Sequence, residues 1–358
     1  MTPAFINKIA TAVPDYDVHQ RFVDFAPNLL PDSRSRALFQ RMAERCQIEH
    51  RYSFLKPHPD NDTGQLDVQE LYRPGRFADT AKRMGMYKQY GFGLACRAID
   101  QLFETVRKDS ITHLIVTSCT GFYAPGVDLE IVNHYGLRPD TERSLIGFMG
   151  CYAALNALKL ARHIVRSETN AGVLVVNLEL CTLHLQETDK LEEVLSFLIF
   201  ADGCAASFIS ADTHGIGLES FTSTVIPESE KLITWHVGSS GFEMALSGLI
   251  PSTITASLPG YLSSILGTNK AEDVTHWAIH PGGRSVLDAV QSAVKLPDDK
   301  IQSSRKVLRH YGNMSSATVM FVLKELLAPE TVPGYGCAMS FGPGMTVESM
   351  LFRVASTG

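Results

Sequence analysis

Three side chains in this sequence stand where acyl-transfer chemistry could use them. Cys151 closes the run Leu145-Ile-Gly-Phe-Met-Gly and opens Tyr152-Ala-Ala, so it sits where a strand pattern turns into a helix. The first turn of a helix offers unpaired N–H groups and the positive end of the dipole, both of which favour a thiolate nucleophile. The competing reading is a small buried hydrophobe, the common fate of a cysteine in a reducing compartment. His280 ends the apolar run His276-Trp-Ala-Ile and precedes Pro281-Gly282-Gly283. Histidines four apart on a helix would suggest a metal, but the apolar residues and the glycine turn favour a strand. Acid–base or hydrogen-bonding work then stands against a satisfied core histidine. Asn313, in His310-Tyr-Gly-Asn-Met-Ser-Ser-Ala-Thr-Val, can cap the helix that follows or donate its amide to an oxyanion. Arg41 and Arg45 share one face of a helix expected from Arg34 to Cys46, giving either a phosphate clamp or a solvated basic face. Phe341-Gly-Pro-Gly344 reads as a turn unless a ligand approaches it.

The elements that must hold these groups follow from periodicity. Helical patterns run from Gly85 to Lys108, from Tyr152 to Arg166, where Leu155, Leu158, Ala161 and Val165 share a face, and from Ser285 to Val294. Between them lie short apolar runs at His113 to Ser118, Leu145 to Met149, Val173 to Leu178, Ala205 to Ile209, Thr275 to His280 and Met345 to Val354. Such alternation reads as buried strands of an α/β fold. The stretch Ser210 to Glu230, rich in Gly, Ser, Thr and Asp, divides the chain into 1–211 and 212–358. Each part carries a strand that runs through a glycine turn into a helix, which hints at duplication. Pro57 to Pro74, with Asp60, Asn61, Asp62 and Gly64, reads as a long surface loop.

The composition excludes several classes. At 358 residues the chain can bury a substantial core, and 45% hydrophobic against 20% charged residues fits neither disorder nor collagen. A net charge of −6 argues against nucleic acid as a partner, so any anionic ligand needs local cations. No segment has the roughly 18 apolar residues of a membrane span, and the first residues lack a signal-peptide apolar core; a cytoplasmic protein is expected. The cysteines at 46, 96, 119, 151, 181, 204 and 337 form no C-x-x-C pair, which disfavours both a disulfide framework and a zinc site. Walker, G-x-G-x-x-G, G-x-S-x-G and EF-hand patterns are absent.

Taken together, Gly-Cys151-Tyr-Ala-Ala, His280-Pro-Gly-Gly, Tyr-Gly-Asn313-Met-Ser-Ser-Ala and Phe-Gly-Pro-Gly344 resemble the chalcone-synthase-type, or type III, polyketide synthases, in family order and over essentially the whole chain. The resemblance implies a thiolase-like αβαβα fold of two similar halves, the first carrying the nucleophilic Cys and the second the His and Asn. It implies a homodimer and a catalytic set of Cys151, His280 and Asn313. It further implies Phe200 and Phe242 as gatekeepers between a coenzyme A tunnel and the reaction cavity. Arg41, Arg45, Gly282 and Gly283 would bind coenzyme A, and Cys119, Ala124, Cys181, His184 and Ser315 would line the cavity. Acyl-CoA and malonyl-CoA would be substrates, with no metal or bound organic cofactor.

Ala124 stands where plant chalcone synthases have Met, and Cys119 and His184 where they have Thr. The wording of Glu179-Leu-Cys-Thr-Leu-His-Leu is closer to bacterial members, several of which use fatty acyl starters, so an alkylpyrone or alkylresorcinol is the expected product. The rivals are a ketoacyl synthase of fatty-acid synthesis making one condensation, a papain-like hydrolase, since His280 follows Cys151 by 129 residues, and a non-catalytic thiolase-fold binding protein. The hydrolase lacks its Cys-Gly-Ser-Cys-Trp context here. An intact Cys, His and Asn argues against the binding protein.

Overall fold

The computed structural model describes residues 2–59 and 64–355, so Asp60, Asn61 and Asp62 of the expected surface loop lie outside the described residues. Among the described residues, nine strands form one mixed sheet. From edge to edge they are His276–Ile279, Gly334–Gly342, Thr346–Val354, Ile216–Val225, Phe5–Ala12, Asp202–Ser210, Val173–Leu180, His113–Ser118 and Glu142–Gly147. In the middle, Phe5–Ala12 meets Ile216–Val225 only at Phe5–Gly217 and Ile6–Ile216, so two half-sheets are joined by a short seam.

Side-chain alternation shows the layers, because successive residues of a strand point to opposite faces. Leu114 and Val116 pack into a core that includes residues of the outer helix Thr80–Phe103, whereas Ile115 packs into a second core with the helices Ala153–Ser167 and Thr318–Glu325. In the other half Ala278 and Ala338 face that same second core. Trp277, Ile279, Cys337 and Met339 face a third, with the helices Ile250–Leu266 and Arg284–Val294. Helices, sheet, helices, sheet and helices therefore stack in the αβαβα order that the resemblance implies. The central helix Thr318–Glu325 is buried on every side from Thr318 to Leu323, as a helix between two sheets must be.

Several elements differ from the sequence expectation. The helix expected from Gly85 to Lys108 is Thr80–Phe103, because the Asp79 carboxylate accepts from the Lys82 N–H and starts it a turn earlier. The dividing stretch contains the strand Ile216–Val225, whose long antiparallel pairing with Thr346–Val354 overrides its turn-like composition. The central strand Phe5–Ala12 and the hairpin Ile233–Gly238 and Gly241–Leu246 also escaped the periodicity reading.

Candidate active site

Cys151 is presented by a strained turn. After the strand Glu142–Gly147 the backbone takes positive φ at Phe148 (59°) and Gly150 (79°), then a single 3₁₀ turn, Gly150–Tyr152, enters the helix Ala153–Ser167. A Cβ on Gly150 would lie 2.3 Å from Pro343 Cδ, so glycine is required by conformation and by space. No side chain caps the helix, which leaves its first N–H groups available near part-buried Cys151.

His280 follows the strand His276–Ile279, its N–H donating to the Met339 carbonyl at 2.8 Å. The residue is 1% exposed, and neither ring nitrogen has a hydrogen-bond partner. An unpartnered buried imidazole is costly unless something else uses it. Asn313 is reached through Gly312 at φ 67°, where a Cβ would come within 2.8 Å of the Ile199 carbonyl oxygen. Its backbone is clamped on both sides, donating to Ile199 O at 2.8 Å and accepting from Ala201 N at 2.9 Å. Its Oδ1 accepts from the Ser315 N–H at 2.9 Å, so the amide Nδ2 is turned the other way, with a long 3.4 Å contact to Gly282 O and a hydrogen bond toward the Cys151 thiol. Asn313 therefore both caps locally and presents a donor.

Cys151, His280 and Asn313 converge on one cavity of about 580 Å³. Burial pushes the Cys151 thiol up to about 12, while hydrogen bonds with Ser315 and Asn313 act in the opposite direction. Burial likewise pushes the His280 imidazole down to about 3. An isolated charge on either group is thus penalised.

Of the other expected residues, Phe200, Arg45, Gly282, Gly283, Cys119, Cys181 and Ser315 line the same cavity. Four do not. Arg41 is exposed, since the helix Ser33–Arg45 turns only Met42, Arg45 and the following Cys46 to the cavity mouth. Ala124 is exposed on a surface turn outside the cavity. His184 is completely buried: it accepts from the Phe242 N–H at Nδ1 (3.0 Å), so Nε2 carries the proton and donates to the Thr120 carbonyl at 2.7 Å. Burial lowers its pKa to about 3, which makes it a neutral internal strut. Phe242, 1% exposed, stacks on that imidazole at 4.2 Å and sits behind the wall.

The sequence reading missed Trp235, Arg284 and the role of Glu179. Trp235 forms cavity wall from the hairpin, its indole N–H donating to the Cys119 carbonyl at 2.9 Å. Arg284 joins Arg45 at the mouth, donating to the Arg45 carbonyl at 3.0 Å. Glu179 is fully buried, and its carboxylate accepts from Cys119 N (2.9 Å), Thr120 Oγ1 (2.9 Å) and Ser316 Oγ (2.5 Å). Burial outweighs these bonds and raises its pKa to about 7. A carboxylate inside the all-buried strand Val173–Leu180 was the available signal.

Residues 2–213 match the family model for chalcone and stilbene synthases, N-terminal domain, and residues 217–356 match the C-terminal domain model. A bisdemethoxycurcumin synthase of Oryza sativa subsp. japonica is 31% identical over 99% of this chain and 93% of its own. The alpha-pyrone synthesis polyketide synthase-like Pks18 of Mycobacterium tuberculosis is 32% identical over 99% and 92%. Among solved structures, the type III polyketide synthase domain of Steely1 from Dictyostelium superposes with a TM-score of 0.89 at 24% identity, covering 99% of this chain and 100% of that one. PKS-I from the brown alga Ectocarpus siliculosus gives 0.86 at 27% identity, with 99% of both covered.

Proposed function

This chain belongs to the chalcone and stilbene synthase family, and from that premise we propose how its own side chains run the chemistry. It is a type III polyketide synthase, an enzyme of decarboxylative condensation with acyl-CoA and malonyl-CoA as substrates. Cys151 takes the acyl group from its coenzyme A thioester after His280 accepts the thiol proton. Loss of carbon dioxide from malonyl-CoA leaves an enolate, whose oxygen is held by His280 and the Asn313 amide. The carbanion attacks the cysteine thioester carbonyl, the C–S bond to Cys151 breaks to return the thiolate, and the chain, two carbons longer, is left on the coenzyme A of the extender. Phe200, fixed beside Asn313 by the backbone bridge, and the apolar wall keep water from the carbanion. This scheme uses no metal and no bound organic cofactor.

The observation that carries the reading is the convergence of Cys151, His280 and Asn313 on one cavity with both His280 nitrogens unpartnered. Peptide mapping after incubation with a labelled acyl-CoA tests it. Label on Cys151, and loss of condensation in Cys151→Ala, are expected; label confined to Cys119 or Cys181 overturns it.

We assign a fatty acyl starter and an alkylpyrone or alkylresorcinol-type product. The cavity supports this with apolar Leu195, Leu198, Ile199, Ile233, Met244 and Leu246 on its wall, each buried methylene contributing roughly 0.8 kcal/mol. A similar relative named for alpha-pyrone synthesis points the same way. Mass spectrometry of products across an acyl-CoA series should show kcat/KM rising with starter length. A steady fall from acetyl upward rules the assignment out, and products of a single extension would favour the ketoacyl synthase rival. A homodimer, a cytoplasmic location and a division of the halves at 211/212 complete the proposal.

A further inference from the structure

Outside the reaction cavity, the structure brings together two imidazoles and a carboxylate that the polyketide chemistry does not use. One ligand atom from each of Glu49, His50 and His310 lies within 4.8 Å of the others. We propose that these three residues form a binding site for a zinc-type divalent transition metal.

Three observations support the assignment. First, the backbone assembles the donors. The N–H groups of consecutive Glu49 and His50 both donate to the Arg309 carbonyl, at 2.8 and 3.1 Å, which fixes them beside His310 at the end of the helix Gln302–Tyr311. Second, Asp17 Oδ2 lies 2.6 Å from His50 Nδ1. A carboxylate on one imidazole nitrogen fixes the tautomer that leaves Nε2 free for a metal, the arrangement in which ligating histidines are usually held. Asp17 is itself anchored, its Oδ1 accepting from the N–H groups of His19 (3.1 Å) and Arg51 (3.2 Å). Third, the two imidazoles lie nearly parallel, with centroids 6.2 Å apart and planes 13° from each other, flanked by Tyr52 and Tyr311.

Two imidazoles and one carboxylate are the donors that borderline divalent ions prefer, and three protein ligands leave a fourth position for water. Tetrahedral donors at ordinary zinc–nitrogen distances lie about 3.3 Å apart, so the side chains must close somewhat on the ion. They have room to do so, with His50 46% and Glu49 58% exposed. The present partner of Glu49 is Arg309 at 3.7 Å, an exposed pair of the weakly held kind that a divalent ion displaces. The other ligand-like group among the described residues, His113 with Glu142 and Glu168, offers one imidazole only, and Thr112 Oγ1 already engages its Nδ1 at 2.8 Å.

The site joins the two halves of the chain. Glu49 and His50 follow Arg45 and Cys46 at the cavity mouth, and His310 precedes Asn313 by three residues. A bound ion would tie these segments together and stabilise the folded chain by mass action.

Titration of the full chain with zinc chloride by calorimetry, and with cobalt(II) by absorption, tests the proposal. One equivalent should bind, with cobalt ligand-field bands lacking the intense near-ultraviolet thiolate band. His50→Ala and His310→Ala should each weaken zinc binding at least about tenfold, and Asp17→Asn about tenfold as a positioning change. The upward shift in Tm with zinc should vanish in the histidine variants, while their malonyl-CoA decarboxylation stays within about twofold and reports that they fold. The proposal is overturned by no saturable binding, by a thiolate band that places the ion among the cavity cysteines, or by binding lost in His113→Ala and retained in His310→Ala.

Discussion

At Glu179 the protein holds a carboxyl group where burial works against ionisation, beneath the backbone that carries Cys119. Its folded pKa of about 7 lies above the ordinary value of 4.5, so between those limits the folded state binds more protons than the unfolded one. Stability is therefore lost as pH rises from about 4.5 through 7, by on the order of 3 kcal/mol in full. Glu179→Gln removes that loss. Denaturant melts at pH 5 and pH 8 should show the variant gaining on the wild type at the higher pH, and parallel pH profiles would count against it. Asp202, also raised, to about 6, cancels in that comparison because both proteins carry it. At the cavity mouth, Arg45 and Arg284 supply the local positive charge that a chain of net charge −6 lacks on average. Replacing both with Ala should raise KM for malonyl-CoA several-fold at low salt and less at high salt, whereas Arg41→Ala should leave it within about twofold. Initial rates at two ionic strengths decide this.

Single turns at the scale of the element set the aim of Cys151 and Asn313. Gly150 has φ 79° and a closest Cβ approach of 2.3 Å to Pro343, so Gly150→Ala meets both backbone strain and a clash. Gly136 has a similar φ of 61° but nothing within 4 Å, so Gly136→Ala meets strain alone. Strain of this kind costs about 1 kcal/mol or somewhat more, and overpacking adds a further 1–3 kcal/mol. Gly150→Ala should thus lower Tm well beyond Gly136→Ala and should also abolish condensation by displacing Cys151. Equal melting temperatures for the two variants would show that the Pro343 contact does not constrain the turn.

For the whole molecule, the open edge of the sheet is the feature that asks for a partner. The edge strand Glu142–Gly147 leaves Leu145 51% exposed, and Met149 beyond it is 38% exposed. An unprotected strand edge bearing apolar side chains is a template for association. A second copy covering this edge would bury the approach to the Cys151 turn. Leu145→Glu should then shift sedimentation from dimer toward monomer and reduce condensation. An unchanged sedimentation coefficient would place any dimer contact elsewhere.

Much of the fold and of the site was legible in the sequence because the signals are local. The strand His113–Ser118 has the bounds its apolar run predicts, and Cys151 and Asn313 each stand beside the glycine that its turn requires. What the sequence could not decide is which side chains reach the cavity, since that depends on segments distant in the chain. His184 reads as a wall residue and Phe242 as a gatekeeper, yet the hairpin Gly241–Leu246 folds back so that each satisfies the other, and Trp235 takes the wall instead. Arg41 and Arg45 share a helix face in sequence terms, but only the packing of that helix determines that Arg45 meets Arg284 while Arg41 stays in solvent. The sequence by itself determined the turns at Gly150 and Gly312 and the approximate extent of several helices, because backbone sterics and periodicity act over a few residues. The tertiary structure alone decided the cavity's shape, the raised pKa of Glu179 and the meeting of residues 49 and 310, because burial and long-range contact exist only once the layers have packed.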